Sequence, residues 1–304
     1  MGLGRQHNLD TKYYTSLRIK DTLFAWTIKL LVCIAIIPLF AILWFLFSKG
    51  ISSLSFSFFV ETAPIPIPET TFLNMTEKER LLAIGGILNS FIGMLCIVCV
   101  ASLISIPLAI IISVYTVETQ YKWLKEAILL CIDVMQGIPS IILGIIINLW
   151  IVETFSAYSG LAGSLALALM MLPTVIKSTI ESLQLVPSSL RYASLALGAS
   201  YSSTILRILL PTALGGIAVG ILLSISRIMG ETAPLLFTAF GNPYITYNML
   251  QPMETISMQI YKNALSPNTN LIENAWTAAL ILVLLILCIH IFIKPLVEKW
   301  KIQF

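Results

Sequence analysis

The chain has 304 residues, of which 58% are hydrophobic and 11% charged, against roughly 25% charged in an ordinary soluble domain. With a mean hydropathy of +0.92, it reads as an integral membrane protein. The net charge of +3 comes without a basic face or aromatic-basic interleaving, so nothing points to nucleic acid.

Apolar runs near the length needed to cross a ~30 Å hydrocarbon core lie at about residues 25–47, 84–114, 127–152, 158–176, 211–230 and 274–293. The alternating ten-residue segments of a membrane β-barrel are missing, and lipid then leaves helices as the way to satisfy the backbone. The expected fold is all-α and polytopic, with six transmembrane helices. Residues 1–24 form an N-terminal segment carrying Arg5, Lys12, Arg18 and Lys20. The apolar run after it is too long for a signal-peptide core and lacks a clear small-residue cleavage site. Of the 18 Lys and Arg residues, 13 fall on the N-terminal side of the membrane, four (Lys49, Lys78, Arg80 and Lys262) on the other, and Arg227 within a span. The positive side, with both termini and the tail 294–304, is therefore expected to be cytoplasmic.

Residues 25–83 read as the first span and a long outside loop, and 84–293 as the core domain. The loop contains "APIPIPET", where Pro64, Pro66 and Pro68 favour an extended segment that is either a connector or a docking surface. "NMTEKERLLAIGG" then starts a helix before the second span. Asp133, with Gln136 nearby, reads as a helix-end or interfacial residue of the third span. The cysteines Cys33, Cys96, Cys99, Cys131 and Cys288 all sit in or beside apolar runs. Cys96 and Cys99 form a C-x-x-C within a span, where an accessible thiolate is not expected. His7 and His290 are far apart, so no metal site is expected.

The cytoplasmic stretch 177–210 is too polar to span and too helix-prone to be loose. Pro187, Ser188 and Ser189 start a helix, "SSLRYASLAL" ends near Gly198, and "SYSSTILRILL" leads into Pro211. This helix-turn-helix is either an amphipathic interfacial linker or a knob that fits a soluble partner's groove. The fifth span follows. At 100° per residue, Gly216, Gly220, Ser224, Arg227 and Glu231 share one stripe, while Ala218, Ile221, Leu222, Ile225, Ile228 and Met229 form an opposite, lipid-suited side. Small residues four apart let a neighbouring helix approach closely. An Arg at a helix centre costs about 2.5–3.5 kcal/mol on insertion scales, so Arg227 should face protein or a wet cavity. Arg227 and Glu231 are either a structural i,i+4 pair or part of a substrate path; both hold if Glu231 restrains Arg227 while the site is empty. Pro234 is expected to break the span just after them. A loop over 232–272 should hold its own re-entrant or surface helix near "PMETISMQIYKNAL".

"RYASLALGASYSSTILRILLP" resembles the cytoplasmic coupling loop of binding-protein-dependent ABC transporter permeases, with Ala193, Gly198, Leu210 and Pro211 matching and Tyr192 where that loop carries glutamate. "GIPSIILG" at 137–144 and "R-x-x-G-E-T-A-P" at 227–234 narrow the likeness, over about 84–293, to the PstA family, permeases of phosphate-specific ABC importers. The resemblance implies a type I importer fold and phosphate translocation. It also implies a heterodimer with a PstC-like permease, two PstB-like ATPase subunits that bind ATP and Mg, and a PstS-like phosphate-binding protein outside. Arg191, Tyr192, Ala193, Ser194 and Gly198 would meet the ATPase.

Arg227 and Glu231 would line the path, with Lys177 where the family carries an Arg; Lys177 reads equally as a snorkelling residue. A guanidinium offers a planar fork of donors to a tetrahedral oxyanion. The chain itself is expected to bind no cofactor and to catalyse nothing, because it has no G-x-x-x-x-G-K-[ST] loop. Another oxyanion, such as phosphonate, sulfate or molybdate, is the alternative cargo. An intramembrane enzyme lacks support, since no G-x-S-x-G or H-E-x-x-H occurs.

Overall fold

Helices make up the regular structure of the described residues, apart from one isolated backbone bridge between Phe240 and Met253. The computed structural model describes residues 3–64, 68, 71, 74–77, 79 and 83–299. It divides the chain into two units, Met1–Lys49 and Gly50–Phe304. The first is built from α1 (Leu3–Gly50), whose apolar side chains from Leu23 to Phe45 are exposed. An apolar surface on every side suits a helix solvated by lipid.

The second unit contains α2 (Ser57–Val60), α3 (Leu88–Glu118), α4 (Lys122–Gly137), α5 (Ser140–Phe155), α6 (Gly160–Gln184) and α7 (Ser188–Ala196). After these come α8 (Tyr201–Met229), α9 (Ala233–Thr238), α10 (Ile256–Ala264) and α11 (Thr269–Lys299). Among the described residues, α1 from Lys20, α3, α6, α8 and α11 to Ile293 are each long and apolar enough to cross a membrane; α4 and α5 add a sixth crossing if counted together. That pair is bent by 98°. Ile138 is extended (φ −72°, ψ 125°) and Pro139 caps α5, as expected where proline disfavours helix at the residue before it. The third span expected over about 127–152 is thus made of two shorter helices with a sharp bend between them.

Helix α6 is central, with 72% of its most apolar window buried. It is tied to α3 by Ser113, whose Oγ donates to the Ile176 carbonyl at 3.1 Å. At its start, Gly163 leaves room for Leu235 and Ala239 around α9. Helix α9 is further held by α5: Asn148 Nδ2 donates to the Phe237 carbonyl at 2.6 Å, and Gly144 sits against the Pro234 backbone. A side chain at 144 would meet backbone that cannot rotate away. Gly144→Val should therefore cost about 1–3 kcal/mol, read as a lower melting temperature of the detergent-purified chain. Gly137, with open space around its Cβ position, should accept Val without that loss; equal losses at both positions would count against the close approach as the cause.

A buried amide cluster clamps α10 and α11 to the entrance of α3. Gln259 Nε2 donates to the Gly86 carbonyl at 2.9 Å and to Asn274 Oδ1 at 2.8 Å, while Asn274 Nδ2 donates to the Ile84 carbonyl at 2.9 Å. Ser90 Oγ closes the cluster by donating to Gln259 Oε1. Helix α10 matches the helix expected within 232–272, while α9 is an additional one. Ahead of α10, burial pushes the Glu254 carboxyl up from the ordinary carboxylate range, and the Lys262 ammonium 3.1 Å away pulls it back down. In the first outside loop, Thr76 and Glu79 form a reciprocal cap, the usual start of a helix. Most of "APIPIPET" and part of the stretch after Thr76 lie outside the described residues.

Candidate functional site

Two antiparallel helices, α6 and α8, frame the site. A Cβ on Gly216 would meet the Ser182 side chain, and one on Gly220 would meet Ser178, so the small residues admit a close neighbour. Arg227 lies seven residues beyond Gly220, about 10 Å farther along the axis at 1.5 Å per residue.

The faces of α8 differ from the expected ones. Leu222, Ile228 and Met229 are buried, and Ala218, Ile221 and Ile225 are half-buried, so the side expected to meet lipid belongs to the protein core. Core and lipid are both apolar, and periodicity alone does not tell them apart. The open row instead runs through Gly216, Val219, Leu223 and Arg227; Gly220 and Ser224 from the small-residue stripe are buried.

Arg227 is 53% exposed, and its Nε lies 3.8 Å from Glu231 Oε1. That separation gives charge attraction without a hydrogen bond, and the Arg227 side chain has no other partner among the described residues. Most of its donors are free. Glu231, 20% exposed, is fixed through its backbone: its carbonyl accepts from Ser257 Oγ at 2.8 Å. Both residues stand where α8 stops at Met229 and Gly230 caps it. Pro234 does not end that helix. It occupies the first turn of α9, where a missing N–H does no harm, so the break expected at Pro234 is corrected to residues 230–232. Irregular backbone between two packed helices is tolerated at membrane depth where protein or a wet cavity surrounds it.

Lys177 is held. Its Nζ is 2.6 Å from Asp133 Oδ1 and donates to Gln136 Oε1 at 2.6 Å, joining α6 to α4. Arg227 and Lys177 are not brought into direct contact; Lys177 neighbours Ser178, which faces Gly220.

The stretch 188–210 forms a helix-turn-helix, with α7 capped by Pro187, a turn at Gly198 and Ser200 capping α8. Gly198 has φ +82°, the left-handed region that glycine enters without penalty. A π turn over Ile205–Leu209 precedes Pro211, whose missing N–H and ring disrupt the regular ladder there.

Tyr192, Ala193 and Leu197 are exposed, Tyr192 by 67% and Leu197 by 89%. Ser194 is buried and shares a 2.9 Å hydrogen bond with Thr204, so it holds the knob together from within. Arg191 also turns inward: it pairs with Glu118 at the end of α3, and the Tyr201 hydroxyl donates to the same carboxylate. Glu118, Asp133 and Ser257 were not among the expected site residues. A carboxylate closing an apolar run was the available signal for Glu118; the other two show themselves only through contacts between distant segments.

Residues 105–302 match the family described as binding-protein-dependent transport system inner membrane component. The phosphate transport system permease protein PstA of Haemophilus influenzae is 37% identical over 270 residues, covering 88% of this chain and 90% of that one. The probable PstA of Methanocaldococcus jannaschii is 33% identical, covering 93% and 95%. A chain of the MetNI methionine ABC transporter in an inward-facing conformation superposes with a TM-score of 0.59 at 17% identity, over 74% of this chain and 99% of that one, a likeness of fold. The family match and these relatives place the chain among the binding-protein-dependent transport system inner membrane components, on their PstA branch.

Proposed function

We propose that this chain conducts phosphate across the inner membrane as one of two permease subunits of an ATP-driven importer, paired with a PstC-like subunit. Family membership makes it a non-catalytic, multi-pass component that works with an ATPase and a binding protein. On this reading two PstB-like ATPases bind ATP and Mg at the cytoplasmic side, where both termini lie, and a PstS-like protein delivers phosphate from outside. The exposed Tyr192, Ala193 and Leu197 meet the ATPase, while Ser194, Arg191 and Gly198 give the knob its shape.

The observation that carries the proposal is Arg227, which stands on the open row of α8 beside a break in the span, held only loosely by Glu231 at 3.8 Å. Its free donors suit a tetrahedral oxyanion through paired, charge-assisted bonds. Lys177 supplies a second cation farther toward the cytoplasm. Contacts along such a path must stay weak, since a tight site would trap the ion.

Co-reconstitution with the partner subunits tests the cargo. Uptake of labelled phosphate should persist under an excess of sulfate, molybdate or methylphosphonate. If one of these is taken up in place of phosphate, the oxyanion is misassigned; uptake without any ATPase present would remove the ATP-driven reading altogether.

A further inference from the structure

We infer that Asp133 positions Lys177 for anion release, by competing with the transported anion for the same ammonium. The inference rests on the reading of Lys177 as a path residue. Lys177 Nζ has two partners on α4, the Asp133 carboxylate and the Gln136 amide oxygen, each at 2.6 Å. One partner carries a full negative charge and the other none. An anion that reaches Lys177 must displace or crowd Asp133, while Gln136 can keep its hold without repelling the newcomer. When Asp133 returns, it takes back the ammonium and expels the anion.

Exposure favours this exchange. The Lys177 and Asp133 side chains are 38% and 59% exposed, and solvated pairs of this kind are weak and easily remade. The Arg191–Glu118 pair is different, at 30% and 11% exposure and with Tyr201 as a second donor, which is the arrangement of a fixed tie. Asp133 also rides on α4, a body distinct from α5 across the 98° bend. A change in that bend would move Asp133 relative to Lys177 on α6, which gives the competition a route to conformational control.

The test uses the reconstituted complex in liposomes loaded with ATP, with or without phosphate inside, and reads the initial rate of phosphate uptake. Internal phosphate should slow Asp133→Asn severalfold while barely affecting the unaltered protein, because Lys177 then holds the anion unopposed. Asp133→Glu should restore the insensitivity. In Asp133→Asn/Lys177→Gln the added sensitivity should vanish, since no ammonium remains to hold phosphate. A purely structural tie between α4 and α6 would lower stability or rate without creating sensitivity to internal phosphate. Asp133→Asn that is no more sensitive than the unaltered protein, or sensitivity that survives in the double variant, overturns the inference. A normal rate for Lys177→Gln alone removes Lys177 from the path and this role with it, while leaving Arg227 to its own separate test.

Discussion

Arg227→Ala is expected to cut phosphate uptake severely while the proposed permease pair still assembles with its ATPase. The expected loss is roughly 100-fold or more, because two hydrogen bonds from a charged donor contribute about 1.5–3 kcal/mol each and each 1.4 kcal/mol is a factor of ten. Assembly should survive, since the side chain is 53% exposed and its described ion partner, Glu231, is 3.8 Å away. Arg227→Lys should retain part of the activity, because it keeps the charge and loses the fork. Uptake into vesicles, measured beside copurification of the subunits, separates transport from assembly. Near-normal uptake by Arg227→Ala would falsify a direct role in the path. Failure of the subunits to copurify would make Arg227 an assembly residue instead.

The spans were legible because a bilayer demands long apolar runs, and the bend at Ile138–Pro139 was written in "GIPS" though the run around it reads as continuous. The knob was legible for a similar reason: its Pro start, its Gly turn and its second cap are local signals. Faces were harder. Ile228 and Met229 are as apolar as lipid-facing residues, and only the three-dimensional neighbours of α8 show that they are core. Arg227 and Glu231 could be paired from spacing because they share one helix turn. Lys177 and Asp133 lie 44 residues apart in sequence, and helical periodicity carries no information about a contact between α4 and α6. Pro234 illustrates a different ambiguity, because proline ends one helix and opens another with the same chemistry; its position in the first turn of α9 decides between them.

On the proposed function, the contacts of the three cations would divide the site by task. Arg227 has only a loose ion partner, Lys177 sits in a more exposed ion pair with Asp133, and Arg191 sits in a more buried one with Glu118. Free donors suit a passing anion, an exposed pair suits its release, and a more buried one suits the transmission of force.

The more buried pair leads to the second large effect: Glu118→Gln should preserve ATP hydrolysis by the assembled complex but cut phosphate uptake about tenfold or more. Glu118 ends α3 and accepts from Arg191 of α7 and Tyr201 of α8, so a single carboxylate joins the knob to a span. Bonds to a charged group contribute about 1.5–3 kcal/mol, reduced here because Arg191 is 30% exposed and can turn to water. On the proposed interface, the exposed Tyr192 and Leu197 are unchanged, leaving ATPase binding largely intact, yet α7 would be tied to α3 by one neutral acceptor oxygen in place of a carboxylate. Arg191→Met should reproduce most of the defect, and Tyr201→Phe, which removes one neutral donor, should have a smaller effect. The readout is the ratio of phosphate imported to ATP hydrolysed, measured on one preparation. An unchanged ratio in Glu118→Gln would mean that force reaches the spans by another route, of which the continuous helix from Tyr201 to Met229 is the first to examine.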